Sequence, residues 1–382
     1  MSIIAYNKKK VRAGCGYGFL SIFVTAMMIQ HVSFAAAGTP LAFPGAVGFG
    51  ADASGGRGGK IYTVTNLKNS GAGSLRQAVS RPHRIVNFRV SGYIRLKSPL
   101  SIASDITING QTAPSMGVAT RGYEVSLSGS HNIIVRYMRF RQGLTPGQKH
   151  KSAVAIYKGR DIILDHVDIQ FGRWDDLDMN KSHNITIQNS IIGPGIAPQR
   201  FGSLCQSDDV TFYHDLWINN HSRNPKAKGR IQFINNVVYN WGVGGFLEGM
   251  YSRGKSWDSV VGNFFIKGPD TGSRPAFGGG NANAQVYARG NLLGYQRHGK
   301  CVVIPLTKRN LGPVTVRHRP FAGFPWKIQS ASAALKYVTA HAGCSLHRDA
   351  VDNRLITDLE SLGRRGHTID RPADMGGWGK LQ

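Results

Sequence analysis

Acidic side chains and cysteine are both scarce in this chain of 382 residues. Asp and Glu number 21 against 47 Lys and Arg, which gives a formal net charge of +26. So few carboxylates leave little to attract a cationic partner, and the expected partner is an anion. The four cysteines form no CxxC motif and no Cys/His spacing typical of a zinc site, so the sequence gives no indication of zinc.

Long apolar runs are also missing, except for one near the N-terminus. A basic stretch at residues 8–12 precedes the apolar residues 16–29 and the small residues SFAAA at 33–37. This order is that of a secretory signal peptide, and the apolar run is short for a transmembrane helix, which needs about 20 residues. Residues 1–37 are therefore predicted to be removed on export, near Ala35–Ala37, giving a secreted protein outside any membrane. The remaining 43 basic and 21 acidic residues leave a net charge of +22.

Three cysteines follow the predicted signal peptide: Cys205, Cys301 and Cys344. Three thiols in an exported protein allow one disulfide at most and leave one cysteine over. Cys301 and Cys344 both lie in the C-terminal region, so these two are the expected pair.

Helical periodicity is absent from residue 100 to 295, where short phrases of alternating, β-branched residues recur instead. Each phrase is typical of a strand. The phrases are DITING (105–110), NIIVRYMRF (132–140), DIILDHVDI (161–169), NITIQNSII (184–192), DVTFYHDLW (209–217), RIQFINNVVYN (230–240), SVVGNFFI (259–266) and AQVYARGNLL (284–293).

A polar residue closes most of these phrases at a similar place, at intervals of 22 to 28 residues: His166, Asn189, His214, Asn236, Asn263 and Asn291. Repeats of this length without an internal helix predict a parallel β-helix, an all-β solenoid of stacked coils. Inward Asn side chains are expected to hydrogen-bond from one coil to the next. We place this domain at residues 38–295.

The C-terminal residues 296–382 lose the strand phrase. They contain the Ala-rich segment SASAALKYVTAHAG at 330–343, which predicts a helix. Because a solenoid needs its ends covered, residues 296–382 are predicted to form a cap, containing some helix, that packs on the β-helix.

Three polar loops are predicted between successive strands, where coil stacking makes them neighbours about 4.8 Å apart. The first, RWDDLDM, carries Asp175, Asp176 and Asp178; the others are APQRFG (197–202) and HSRNPKAKG (221–229). Clustered carboxylates suit calcium, which prefers oxygen ligands, although a solvated acidic loop is the simpler alternative. The Asp165–His166 pair follows an apolar strand directly, which favours a buried hydrogen-bonded pair over a catalytic one.

Several of these motifs together resemble the pectate lyases of the polysaccharide lyase family. The motifs are FPGAVGFGADASGGRGGKIYTVTNLKNSGAGSLRQAVS (43–80), IILDH (162–166), VTFYHDLWINNHSRNPKAKG (210–229) and HRDAVDNRLITDLESLGRRG (347–366). The resemblance covers nearly the whole mature chain. It implies a right-handed parallel β-helix that uses calcium and cleaves polygalacturonate by β-elimination.

The resemblance also implies roles for individual residues. Arg223 aligns with the arginine that serves as the catalytic base, Lys228 with a substrate-contacting position, and Arg200 with a position that is usually lysine. Lys226 is expected to join these two in binding substrate. Metal binding is implied for Asp178 together with Asp175 or Asp176. The family's acidic ligand on the preceding strand has no counterpart in SAVAI (152–156).

Two alternatives remain open at this point. A non-catalytic, polyanion-binding β-helix with a decayed metal site would account for the missing acidic residue at 152–156. A polygalacturonase-type hydrolase would need paired carboxylates, and DD occurs at 175–176 and 208–209, but the other motifs of that family are absent. Export and the lack of a basic helix weigh against nucleic acid as the anion. We expect a monomer.

Overall fold

The computed structural model describes residues 39–248, 256–279, 283–312, 316–320, 322–324 and 326–381. The predicted signal peptide lies outside these residues. Within them, strands predominate over helices, and no helix is long and apolar enough to cross a membrane.

The described residues form twenty-six strands and three α-helices. The first thirteen strands are β1 Lys60–Val64, β2 Arg84–Phe88, β3 Gly92–Arg95, β4 Leu100–Ser101, β5 Ile106–Asn109, β6 Val118–Arg121, β7 Val125–Ser126, β8 His131–Arg136, β9 Arg139–Arg141, β10 Val154–Tyr157, β11 Arg160–Asp165, β12 Asp168–Gln170 and β13 Asp175–Gln188. The others are β14 Ile191–Ile192, β15 Phe201–Tyr213, β16 Leu216–Ile218, β17 Lys226–Ala227, β18 Arg230–Ile234, β19 Val237–Tyr239, β20 Phe246–Glu248, β21 Ser256–Val261, β22 Phe264–Ile266, β23 Phe277–Gly278, β24 Ala284–Arg289, β25 Leu292–Arg297 and β26 Lys300–Pro305. The helices are α1 Leu75–Ala78, α2 Ala331–His341 and α3 Ala350–Glu360.

The strands stack as the coils of a parallel β-helix, which confirms the predicted fold. Over the described residues, one sheet has sixteen strands and the other has ten. Neighbouring strands come from successive coils and run parallel, as when Ile162 of β11 pairs with Ile185 of β13 and Ile185 pairs with Val210 of β15. The predicted helix at 330–343 is α2. Helix α3, in the segment that carries the C-terminal part of the family resemblance, was not predicted from its periodicity.

Apolar side chains fill the interior because each strand alternates inward and outward residues. Ile162, Ile185, Val210 and Ile231 occupy one inward row on consecutive coils, and all four are fully buried. Each such side chain contributes about 1.5–3 kcal/mol relative to exposure. The alternation leaves the outward residues of the same strands free to form a surface site.

The predicted ladder of hydrogen bonds between coils is confirmed for its last three members. Asn263 Nδ2 donates to Asn291 Oδ1 at 2.9 Å, and the backbone N–H of Asn236 donates to Asn263 Oδ1 at 2.7 Å. These buried amides satisfy backbone groups where the chain bends, which an apolar side chain would leave without partners.

His166, Asn189 and His214 lie one residue earlier in the bend than these three asparagines, and Asn189 still hydrogen-bonds to the preceding coil, its Nδ2 donating to Asp165 Oδ1 at 2.9 Å. Their φ angles are 54°, 53° and 58°, and Asn235, just before Asn236, has a φ of 55°. Asn tolerates this left-handed conformation better than most residues. Asn therefore occurs both at the left-handed position of the bend and at the next position, whose side chain forms the ladder. The Asp165–His166 prediction is confirmed in part: Asp165 is fully buried and its Oδ1 lies 3.0 Å from His166 Nδ1, but that nitrogen makes no hydrogen bond within the described residues and His166 is only partly buried.

A buried ionic network attaches the C-terminal segment to the coils. Arg141 donates to Asp349 at 3.0 Å and to Asp352 at 2.8 Å, while Arg139 contacts Asp352 at 3.0 Å and Asp168 at 3.3 Å. All five side chains are almost completely buried. Asp349 also caps α3 by accepting from the N–H groups at the start of the helix.

The predicted disulfide between Cys301 and Cys344 is wrong, since both cysteines are free thiols, as is Cys205. Cys344 is buried after α2, where its Sγ lies 3.5 Å from the carbonyl oxygen of His166. Cys301 instead lies on β26, which pairs antiparallel with the last parallel strand of its sheet. Both residues are C-terminal, but they pack on different coils.

Candidate active site

The predicted acidic loop is the first part of a strand, because Asp175 begins the fourteen-residue strand β13. Ala155, Asp178, Leu204 and Lys226 pair in sequence across β10, β13, β15 and β17. These four residues therefore form one row along the stack, with Asp178 and Lys226 two strands apart. At about 4.8 Å for each strand, this separation is about 10 Å.

Arg223 is held in a well-defined loop just before β17. Its backbone is left-handed, with a φ of 62°, a conformation that costs a bulky residue energy unless its surroundings fix it. The next residue provides such fixing: Asn224 Oδ1 accepts from Asn220 Nδ2 at 3.0 Å, and the Arg223 carbonyl oxygen accepts from the Ser203 N–H at 2.7 Å. Asn224 and the backbone of Ser203 thus help to position the arginine.

The Arg223 guanidinium is bound on two sides. Its Nη1 donates to both carboxylate oxygens of Asp175 at 2.9 Å, and its central carbon lies 4.0 Å from the ring centroid of Phe201. The arginine side chain is 16% exposed and that of Asp175 is fully buried. The predicted base and one predicted metal ligand therefore form an ion pair.

Two of the three predicted metal ligands face this cluster. Burial raises the pKa of Asp178 and the charge of Arg223 opposes this rise, while the charge of Asp178 raises the pKa of Asp175. The Asp178 Oδ1 is buried without a hydrogen-bond partner in the described part of the chain. Asp176 is fully buried and accepts from the Gly172 N–H at 2.8 Å. Asp175 and Asp178 offer the oxygen donors that calcium prefers. Across the described ranges, however, no three His, Cys, Asp or Glu side chains form a preassembled metal site.

The cluster perturbs its own ionisable groups. Burial raises the pKa of Asp175 to about 7; repulsion from Asp178 adds to this rise, whereas Arg223 opposes it. Burial lowers the pKa of Lys226 to about 8, and the charges of Lys228 and Arg223 act in the same direction. The pKa of Lys228 is also lowered, by burial and then by Arg223. Strong mutual perturbation of this kind is common at functional sites.

Arg200 is placed differently from the other predicted substrate-binding residues. Its Nε donates to Asp370 in the C-terminal segment at 2.8 Å. The carboxylate of Asp370 is well exposed, with 64% of its side-chain surface accessible. An incoming anion would therefore have to displace Asp370 to reach Arg200.

Three side chains around the cluster were not predicted from the sequence: Phe201, Trp174 and Glu124. Phe201 supports Arg223, and Trp174 packs edge-on to Phe201 with ring centroids 6.5 Å apart. Glu124, next to β7, lies close enough to Asp178 and Lys151 for their charges to affect its pKa, which burial raises. An acid absent from 152–156 is thus present one coil earlier. The signal was the phrase YEVSL (123–127), whose Ser126 pairs with Ala155.

Comparisons with known proteins agree with this architecture. No family model matches the chain. The chain is 42% identical over 362 residues to a probable pectate lyase C of Aspergillus fumigatus, covering 93% of this chain and 86% of that protein. It is 43% identical over 347 residues to a probable pectate lyase C of Aspergillus flavus, covering 89% and 82%.

Solved structures share the fold at low sequence identity. A pectate lyase from a Bacillus species, in complex with trigalacturonate, superposes with a TM-score of 0.56 at 17% identity, over 78% of this chain and 98% of its own. A pectate lyase bound to a hexasaccharide has a TM-score of 0.57 at 15% identity, over 82% and 100%. This chain is more than 40% identical to pectate lyases along most of its length, and it folds as a parallel β-helix. It therefore belongs to the pectate lyases, a family of polysaccharide lyases.

Proposed function

We propose that this enzyme cleaves α-1,4-linked polygalacturonate by β-elimination and releases 4,5-unsaturated oligogalacturonides. The observation that supports this proposal is the cluster of Arg223, Lys226 and Lys228 beside Asp175 and Asp178. Positive groups that the fold holds close together attract an acidic polymer and stabilise negative charge that develops on it.

The reaction itself explains why cations are needed. β-Elimination breaks the C5–H and C4–O bonds of a uronate and forms a C4–C5 double bond. The carboxylate on C5 is already negative, so carbanion character at C5 adds a second charge to the same group. Fixed positive groups aimed at developing charge are commonly the largest catalytic contribution. In this proposal, Lys226 and Lys228 bind and neutralise the uronate carboxylate.

Arg223 is the proposed base: as the neutral guanidine, formed when the guanidinium gives a proton to water at alkaline pH, it takes the C5 proton, and the departing O4 takes a proton from water. To do so it must leave Asp175, which now occupies its Nη1. A bound uronate carboxylate would compete with Asp175 for the neighbouring cations, which favours this release. Phe201, 4.0 Å from the guanidinium carbon, would keep the plane of the guanidinium oriented during the exchange.

Calcium is part of the proposal through Asp175 and Asp178, the two aspartates that face the cluster. When bound there, calcium supplies additional positive charge near the uronate carboxylate. Asp176 is left out, because its carboxylate is buried against the backbone of Gly172.

We also propose that the enzyme acts outside the cell. Residues 1–37 have the order of segments of a secretory signal, and polygalacturonate is too large a substrate to be met inside a cell. Arg200 is proposed to join the substrate site only when a uronate displaces Asp370.

One assay tests the proposal. Ultraviolet absorbance is followed on polygalacturonate and on methyl-esterified pectin, each with calcium and with a chelator. We expect absorbing 4,5-unsaturated product, faster on polygalacturonate and slower with chelator. Reducing ends that accumulate without absorbance would indicate a hydrolase, and binding without product would indicate a non-catalytic protein.

A further inference from the structure

A second group of cations lies on the same sheet, away from Arg223. Lys158 and Lys181 follow β10 and interrupt β13 at equivalent bends of consecutive coils, with φ angles of 56° and 54°. Their ammonium nitrogens lie 5.3 and 5.8 Å from the ring centroid of Tyr157. Both lysines are exposed, and Tyr157 is 42% exposed although most large apolar side chains are buried.

These two lysines are not balanced by acidic neighbours. In the part of the chain that the structure describes, neither forms an ion pair with a carboxylate. Stacked coils place two like charges side by side, which is unfavourable unless an anion is shared between them. The tyrosine ring attracts both ammonium groups and so helps to hold the pair together.

A groove extends between Lys181 of this pair and Lys228 of the proposed active site. Its volume is about 650 Å³, and both Lys181 and Lys228 line it. The acidic residues of the groove, Asp208 and Asp209, contact Arg230 at 3.7 and 2.5 Å. Lys181, Lys228 and Arg230 together outnumber these two carboxylates, so the groove carries a small excess of positive charge.

The register of the strands indicates how far apart the two ends are. Tyr157 pairs with Asn180, Asn180 pairs with Gln206, and Lys228 follows β17 two residues after Lys226, which pairs with Leu204. Tyr157 and Lys228 thus occupy one outward row, three strands apart. At about 4.8 Å per strand, the distance is about 14 Å, which a single sugar cannot bridge.

We propose that Tyr157, Lys158 and Lys181 form an additional uronate-binding site, which holds a distant galacturonate of a long substrate while Arg223 acts on another. The proposal rests on the proposed function for the nature of the polymer. The two lysines bind the uronate carboxylate, and the tyrosine ring offers an apolar face to the sugar. A short oligomer at the active site does not reach this site, so the site increases the preference for long chains.

The experiment compares hexagalacturonate with trigalacturonate. In Tyr157→Ala and in the double variant Lys158→Gln/Lys181→Gln, the ratio of kcat/KM for the hexamer to that for the trimer is expected to fall at least about fivefold. Tyr157→Phe keeps the ring and is expected to retain the wild-type ratio. The double variant Lys68→Gln/Lys97→Gln removes the same charge from exposed lysines elsewhere and controls for general attraction.

Calorimetric binding of hexagalacturonate separates this proposal from the proposed function, because it does not depend on turnover. Weaker binding in the Tyr157 and lysine variants supports the site even if no unsaturated product forms. The proposal is overturned if both the hexamer affinity and the kcat/KM ratio stay at wild-type values in these variants. It is also overturned if both fall equally in the Lys68/Lys97 control.

Discussion

At the scale of single residues, the ion pair between Arg223 and Asp175 is the central feature. A charge-assisted contact from one guanidinium nitrogen to both oxygens of a buried carboxylate is strong, so it fixes where the guanidinium lies before substrate arrives. Asp175 thus positions Arg223 and is also one of the candidate metal ligands.

Replacing Arg223 tests its role directly. Arg223→Ala and Arg223→Lys are expected to lower kcat on polygalacturonate by a factor of about 10² or more, the usual size of a lost proton-transfer group, while oligogalacturonate still binds. Ultraviolet kinetics and calorimetry measure the two effects. Arg160→Ala, which removes an arginine from an exposed ion pair, is the control, and an active Arg223→Ala enzyme would remove the assignment.

Sequence reasoning identified the chemistry of these residues better than their surroundings. The RNP loop with its neighbouring lysines was recognisable because local sequence sets both its turn and its charge. The pairing of Arg200 with Asp370 was not, since it depends on a residue that only the folded chain brings near. Asp370 is 170 residues from Arg200.

At the scale of elements, an apolar cluster attaches helices α2 and α3 to the outer face of the coils. A few buried polar side chains add directional anchors to this packing, above all those of α3. Variants at these anchors should therefore alter stability much more than surface variants do.

Asp349 is the clearest anchor of α3, because it both caps the helix and binds Arg141. Asp349→Ala is expected to destabilise the fold by about 3–5 kcal/mol, the usual cost of breaking a buried ion pair. Chemical denaturation followed by circular dichroism measures this loss. Asp52→Ala, at an exposed aspartate, should change little; equal stability of the two variants would argue against the anchoring role.

His214 makes the attachment of α2 dependent on pH. It stacks on Tyr337 of α2 with ring centroids 4.1 Å apart, and burial lowers its pKa to about 4. An unfolded histidine has a pKa of about 6.5, so between pH 6.5 and 4 the unfolded chain binds a proton that the folded chain does not. Its contribution to stability is therefore complete above pH 6.5 and lost as the pH falls toward 4.

The variant His214→Asn tests this dependence, because Asn suits the left-handed backbone at this position. We expect the midpoint of thermal unfolding to fall less steeply between pH 6.5 and 4 than in the wild-type protein. An unaltered slope would mean that other groups determine the loss of stability in acid.

At the scale of the whole molecule, the excess of positive charge is distributed along a long stack and not confined to the active site. The predicted mature net charge of +22 attracts a polyanion from a distance, and dissolved salt screens this attraction. Charge of this kind mainly raises the rate of encounter with substrate.

Raising the NaCl concentration from about 0.05 to 0.5 M should therefore raise the KM for polygalacturonate severalfold at constant calcium, since the Debye length shortens. Methyl-esterified pectin, which lacks most of the charge, should show a weaker dependence. Initial rates measured across both substrates and salt concentrations provide the comparison, and a KM independent of salt on polygalacturonate would contradict this reasoning.

The whole fold was more predictable than its ends. Recurring strand phrases at 22 to 28 residues specify the coils, because every coil repeats the same alternation against the same neighbours. The C-terminal network could not be predicted, since Arg139 and Arg141 lie in a strand phrase while their partners Asp349 and Asp352 follow more than 200 residues later.

Strand β26 has a consequence for how the protein behaves at high concentration. A stack of parallel coils exposes unpaired backbone groups at its last turn, which are a template for end-to-end growth into fibres. β26 covers β25 in the opposite direction, is six residues long, begins at Lys300 and ends at Pro305. A short strand with a charge at one end and no N–H at the other is a poor template, so this edge of the ten-stranded sheet resists polymerisation.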